Sequence, residues 1–237
     1  MMSNWKPKRF WKTAQVAEMD GSWAVLLDER ELRTPAKAPL RLKTQRLAEA
    51  VAAEWDAQSE TVDPNRMPVT RSANAAIDKL SEQRNEVIAL LAAYGETDLL
   101  CYRAATPQEL RDRQAMQWDP VIEWAEERFR VLIQVGVGVM HVPQPAETVA
   151  NLAQPMNEFC DFSLAAFHDL VGISGSIMIA LAVVEGFISP EKGWELSRLD
   201  ESWQEEKWGV DEEARALSDS KKNDFLKAME IFLLANS

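Results

Sequence analysis

The sequence predicts an α+β protein: a small strand-rich domain with one helix over residues 1–70, then a larger all-α helical domain over residues 71–237. Three observations lead to that reading. The pair Asp20-Gly21 sits between two short runs of strand character, which is how a tight hairpin reads. At Thr44 the apolar residues switch to helical spacing. From about residue 70 onward every sustained apolar pattern is helical.

The strands are expected within residues 8–42. The run Lys8 to Glu18 precedes the turn and the run Trp23 to Leu27 follows it, after which Pro35 and Pro39 bracket an extended segment. Thr44 is placed to cap a helix, TQRLAEAVAAEWDAQ, in which Leu47, Val51 and Trp55 recur at every fourth residue. DPNRMP, residues 63–68, ends that helix. Ile77, Leu80, Val87, Leu90 and Leu91 then lie at helical spacings. In WDPVIEWAEERF, Asp119 is the expected cap and Pro120 the first helical residue, with Trp124 and Phe129 on an apolar side. VPQPAE marks a turn before a helix expected to run through Phe167. ISGSIMIALAVVEGF is apolar nearly all round and predicts the central buried helix. Ser189-Pro190 opens the next helix, and a last helix near DSKKNDFLKAMEIFLLA places Phe225, Met229 and Leu233 on one side. No internal repeat or low-complexity segment occurs.

Composition narrows the function classes. The 237 residues are 46% hydrophobic and 27% charged, the balance of an ordinary soluble chain able to bury a sizeable core. A net charge of −12 argues against a nucleic-acid backbone or an anionic membrane surface as the main partner. No run of about 18 apolar residues occurs, so no membrane span is expected. The start, MMSNWKPKRFWKTAQVAEMD, has neither the apolar core of a secretory signal nor the long Arg-rich stretch of a transit peptide. The expectation is a protein that begins near Met1 and stays where it is made. Cys101 and Cys160 have no Cys or His at metal-ligand spacing and read as buried thiols in a reducing compartment.

Motifs for chemistry are weak. His168 is followed by Asp169, but sequence neighbours do not face each other on a helix. His141 sits in a loop beside Val142-Pro143. GISGS, residues 172–176, departs from the G-x-S-x-G elbow and has no histidine after it. Its small residues read as a place where a neighbouring helix comes close. No phosphate-binding loop occurs, and GVGV, residues 136–139, is too short a match to one. The carboxylates lack the spacing of a calcium loop, so neither metal nor cofactor is expected.

The segment SRLDESWQEEKWGVDEEA, residues 197–214, stands out, with seven acidic side chains and two tryptophans in eighteen residues. On a helix, Leu196, Leu199 and Trp203 share one side and Asp200 and Glu201 flank it. Trp208-Gly209 then breaks the helix, and DEEA suits the first turn of another. The plain reading is tryptophans in the core and acids in water. The other is a partner surface, since aromatics ringed by charge resemble interface centres.

Several pieces together resemble one family. KRFWK, LDERELRTPAKAPL, EWDAQ, MPVTR, TDLLCYRA, QWDPVIEW, SGSIMIALA and SRLDESWQEEKWG, in this order over about residues 8–215, are similar to the ATP-twelve family of ATP synthase assembly chaperones. That resemblance implies a chaperone rather than an enzyme, with no nucleotide requirement. It implies binding of the free alpha subunit of the catalytic head of F-type ATP synthase until the beta subunit takes its place. A ring subunit alone exposes faces meant for burial, and a holder that must let go should grip modestly and in part through charge. The resemblance also implies the same two-part fold. An acidic residue in the SRLDE segment matters to the family, and here it falls on Asp200, where many members have glutamate. The expected client-binding residues are Asp200, Glu201, Glu205 and Glu206. Trp203 and Trp208 are expected to anchor the segment to the core, and Trp55, a characteristic family position, to be buried where the first helix meets the helical domain. Without the targeting extension of eukaryotic members, the expectation is a bacterial cytoplasmic monomer. Two rivals remain: a small hydrolase or carboxylate-metal enzyme, which needs two or more of Asp200, Glu201, Glu205 and His168 to converge in a pocket, and a permanent subunit of some complex.

Overall fold

The computed structural model describes residues 8–237, so residues 1–7, on which the reading of an unprocessed start partly rests, lie outside the described residues. The architecture is α+β, with a strand-containing amino-terminal region and helices thereafter. The chain forms two compact units. The first runs through Arg84 and takes back Cys160–Ala166 and Glu230–Ser237; the second comprises Asn85–Phe159 and Phe167–Met229. Residue 70 lies within a helix, Pro68–Ala75.

In the first unit, β1 (Ala14–Met19) and β2 (Ser22–Leu27) pair antiparallel with Met19 opposite Ser22. That register leaves a two-residue turn, with φ of 53° at Asp20 and 73° at Gly21. Positive φ at both positions matches the twist of the flanking strands, and Asp-Gly is among the pairs that tolerate it. β2 is the central strand and also pairs with β3 (Arg30–Glu31) and β4 (Arg41–Leu42). The segment between Pro35 and Pro39 is a tight turn rather than extended: Arg33 bridges to Pro39 and Lys37 has φ 69°.

Helix α1 (Gln45–Asp56) starts as the sequence predicts. Thr44 is extended and its Oγ1 accepts from the Leu47 amide at 3.2 Å. Leu47, Ala48, Val51 and Ala52 are buried, and the helix lies against β1 and β2. Trp55 is half-buried, and its ring meets Trp11 at 5.1 Å, so its partner is a residue of its own unit. Asp63 caps a short 3-10 turn, Pro64–Arg66. The next helix, α2 (Pro68–Ala75), has no cap from its own leading residue. Glu54 of α1 supplies one, its two carboxylate oxygens accepting from the amides of Val69 and Thr70 at 2.7 Å each, where the helix dipole favours negative charge. A π-turn, Ala76–Leu80, leads into α3 (Ser81–Glu96), which bends at Gln83. Leu80 and Leu91 are buried, whereas Leu90 faces out at 54% exposure.

In the second unit a two-stranded parallel pair, β5 (Tyr102–Arg103) and β6 (Gly136–Val137), accompanies the helices. Helix α4 (Gln108–Phe129) is continuous. Pro120 lies inside it, and Asp119 is not a cap but accepts from the buried Arg103 side chain at 2.6 Å. A proline deprives the residue four before it of a donor; here that residue is Met116, 69% exposed, where water can serve its carbonyl. The helix expected to run to Phe167 is two: α5 (Ala146–Ala153) gives way to a 3-10 turn containing Pro155, and α6 (Asp161–Ser174) follows. Gly175, with φ 70°, separates α6 from α7 (Ile177–Val184). Ile177 through Val183 are at most 1% exposed, so α7 is the predicted central helix, and α4 and α8 (Pro190–Ser197) pack on it. Helix α9 (Leu199–Trp208) follows after a break at Arg198.

DEEA and the last predicted helix belong to one helix, α10 (Glu212–Asn236). Phe225 and Met229 are buried as expected, but Leu233 is 55% exposed and Phe232 takes the inner place. At 100° per residue the seventh position returns closer to the starting side than the eighth. Cys101 is buried and Cys160 half-buried, both as free thiols. Burial first, and then the nearby Asp98 carboxylate, push the Cys101 thiol up to about 12. No helix among the described residues is long and apolar enough to cross a membrane.

Candidate functional site

The acidic segment is built on α9 and the face of α4 beside it. Leu196, Leu199 and Trp203 form the predicted inner side, at 1%, 6% and 8% exposure. Trp118 of α4 fixes the join, its indole donating to the Leu196 carbonyl at 3.0 Å. Beside it Gln114, itself buried, works in both directions. Its Oε1 accepts from the Ala104 amide and its Nε2 donates to Asp200 Oδ1, each at 2.7 Å. Asp200 is therefore oriented by a buried amide, not swinging in water.

The other carboxylates differ. Glu201 pairs with Arg198, three residues before it on the chain. Glu206 takes a two-pronged bond from Arg113 of α4, at 2.7 and 2.8 Å, and that guanidinium holds the Glu206 carboxyl below its ordinary range. The Glu205 backbone carbonyl accepts from the Gly209 amide at 3.0 Å, and its side chain has no hydrogen bond or ion pair among the described residues. Two cations lie over the Trp203 ring, Arg113 at 4.8 Å and Lys207 at 4.6 Å from its centroid. Trp203 itself is buried, at 8% exposure.

Trp208 is not. At 79% exposure it projects from the last position of α9, directly before Gly209 with φ 90°, and no inner side remains for it once the helix ends. Val210, 47% exposed, continues the apolar surface, with Asp211, Glu212 and Glu213 exposed beyond it. The outward aspect of the segment is thus an apolar pair bordered by acids.

Two of the four residues named for the enzyme rival share a cavity and two do not. Asp200 and Glu201 line a cavity of about 190 Å³ with Leu99, Trp118, Ser197 and Gln204. Glu205 and His168 do not line it. His168 instead stands 3.3 Å from Asp169 on α6, which raises its pKa through that hydrogen bond. His141 lies 3.3 Å from the Tyr102 hydroxyl and 3.8 Å from Glu96. No group of three or more His, Cys, Asp or Glu side chains among the described residues could hold a metal.

One polar centre escapes sequence reasoning. Asp98 is fully buried, and its carboxylate accepts from the Leu100 amide at 3.0 Å, the Ser176 hydroxyl at 2.7 and 2.9 Å, and the Met178 amide at 3.2 Å. The GISGS segment serves this centre: Ser176 caps α7 by accepting from Ile179 and donates to Asp98. Gly172 and Gly175 have open space around them rather than a close neighbouring helix. The only hint in the sequence is an acid set against the apolar run LLC.

Trp55 is also placed differently from expectation, being half-buried rather than sealed. Trp55→Arg loses the ring contact with Trp11, yet the longer side chain can carry its charge to water. The expected result is a loss of about 2 kcal/mol, seen as a fall of several degrees in melting temperature. An unchanged melting temperature would show that the Trp11–Trp55 contact contributes nothing.

A sequence model of the ATP12 chaperone protein family matches residues 8–126. The crystal structure of Atp12 from Paracoccus denitrificans is 45% identical, with a TM-score of 0.92 over 96% of this chain and 98% of that one. An Asp-to-Lys variant of the same protein gives the same TM-score and identity over 96% of this chain and 97% of its own. The Atu1473 protein of Agrobacterium tumefaciens is 39% identical, with a TM-score of 0.92 over 98% of this chain and 87% of that one. The mitochondrial protein atp12 of Schizosaccharomyces pombe is 26% identical over 238 residues, covering 94% of this chain and 81% of that protein.

Proposed function

The chain belongs to the ATP12 chaperone family, and from that premise we propose that it is an assembly chaperone of F-type ATP synthase that holds the free alpha subunit until the beta subunit docks. The observation that supports a client surface here is the end of α9. Trp208 and Val210 are exposed amid Glu205, Glu206, Asp211 and Glu212. A large exposed aromatic costs solubility unless something covers it for part of its life. Its acidic border suits a contact that forms fast and releases. Asp200 and Glu201, at the start of the same helix, extend the surface, while Trp203 holds it to α4.

In this reading the protein performs no catalysis and needs no cofactor. It works as a monomer in a bacterial cytoplasm, with neither nucleic acid nor membrane as partner. A pull-down from its own extract with the protein as bait tests the reading. Free alpha subunit without assembled ATP synthase is the expected catch. Intact ATP synthase would instead mark a permanent subunit. Absence of any ATP synthase component, where free alpha subunit is present, would overturn the proposal and reopen the cavity at Asp200 and Glu201 as a site of chemistry.

A further inference from the structure

A cleft in the first unit differs in charge from the chain as a whole. It has a volume of about 260 Å³ and is lined by apolar side chains, Trp11, Trp55 and Leu27 among them, together with Phe10 and three cations, Lys8, Arg30 and Arg33. Its one acid, Glu31, is already in a 2.9 Å ion pair with Arg41. In a protein of net charge −12, this is a local excess of positive charge around an apolar hollow.

Two further observations bear on what enters. Phe10 is 63% exposed, with the Arg30 guanidinium 5.7 Å from its ring centroid, so an aromatic and a cation are offered together at the opening. Trp11 and Trp55 both line the cleft, and their indole N–H groups are buried with no hydrogen-bond partner among the described residues. Native structures rarely leave buried donors unpaired. Two on adjoining rings call for acceptor oxygens.

We propose that this cleft binds an extended segment of a partner protein in which an apolar side chain is flanked by carboxylates. The volume falls below the roughly 300–1,000 Å³ of small-molecule sites and suits one or two side chains. The apolar side chain fills the hollow between Phe10 and the tryptophans. The carboxylates meet Lys8, Arg30 and Arg33, and the oxygens of the segment offer the indoles their missing acceptors. The chain's own residues 1–7, MMSNWKP, carry Lys6 and no acid, so charge disfavours them as the occupant. The proposal does not depend on the alpha subunit being the client, and its test uses none.

The test is fluorescence anisotropy of a labelled octapeptide, Gly-Asp-Glu-Phe-Asp-Glu-Leu-Gly, titrated with the 237-residue chain. Saturable binding is expected, weakened roughly tenfold or more when the four acids become lysines and by the double change Arg30→Glu with Arg33→Glu. Both arginines are exposed, so the melting temperature of that variant should hold. Equal binding of the acidic and basic peptides, no binding at all, or full binding by the double variant would overturn the proposal. Binding seen only after removal of residues 1–7 would overturn it in favour of the chain's own segment. A dimer in sedimentation that the double variant dissolves would overturn it in favour of a second copy.

Discussion

Asp98→Ala is expected to be the most destabilising single change in the second unit. It strips the acceptor from the Leu100 amide, the Ser176 hydroxyl and the Met178 amide at once, all in a region closed to water. Each buried donor left unpaired costs about 1–3 kcal/mol. The loss should therefore reach about 3 kcal/mol or more, a large share of the roughly 5–15 kcal/mol by which domains are stable. A urea titration measures it. Asp98→Asn should cost less, since one oxygen remains, but its amide nitrogen must then face a donor. A midpoint unchanged in both variants would remove Asp98 from the core of the fold.

The same residue gives a pH signature. Burial pushes the Asp98 carboxyl up to about 6, outweighing the hydrogen bonds from Leu100, Ser176, Met178 and Ile177 that pull it down. Its folded value exceeds the ordinary 3.8, so the folded state binds the proton more tightly. The contribution to stability is greatest below the ordinary value and is lost as pH rises through about 6. Between pH 7 and pH 5 the parent should gain about 1 kcal/mol over Asp98→Asn. Taking the difference between the two proteins cancels the many other carboxylates.

If the proposed function holds, Asp200→Lys causes the largest loss of protection, followed by light scattering of free alpha subunit as it aggregates. It is not a silent change to the fold. Gln114 Nε2 donates to Asp200 at 2.7 Å, and a lysine would set donor against donor in the first turn of α9, where positive charge is disfavoured. A stability loss of about 1–2 kcal/mol should accompany it. Asp200→Asn keeps an acceptor for Gln114 and separates charge from structure; it should retain the melting temperature and lose part of the protection. Glu205→Lys is a cleaner probe of the surface because the Glu205 side chain has no partner to lose among the described residues. Protection by Asp200→Lys equal to that of the parent would take Asp200 out of the proposed client face.

What was legible in the sequence was what is decided locally. Asp20-Gly21 makes its own turn, Thr44 caps the helix beside it, and Gly209 stops α9 at Trp208. Asp98 was not legible because its hydroxyl partner is 78 residues away, and neither segment alone reports the pairing. The start of α2 was hidden for the same reason: its cap is Glu54, on the preceding helix. Trp203 and Trp208 are the same residue type on one short helix, yet one is buried and the other exposed. Side-chain chemistry says that a tryptophan wants cover; only the end of the helix says which one lacks it. Pro120 opens no helix because α4 has already begun at Gln108, and a proline tolerated mid-helix looks the same in sequence as one at its start.

The membership of Glu230–Ser237 in the first unit bears on how the chain is made. The ribosome delivers β1, β2 and α1 well before Glu230–Ser237, and the domain-by-domain order of synthesis would let an early unit finish early. Here it cannot. The hydroxyl of Thr44, beside the start of α1, donates to the carbonyl of Leu234 at 2.5 Å, so that bond waits until Leu234 has been made. An earlier segment is thus completed by a much later one, and a chain that stopped before Glu230 would leave a fault at the start of α1.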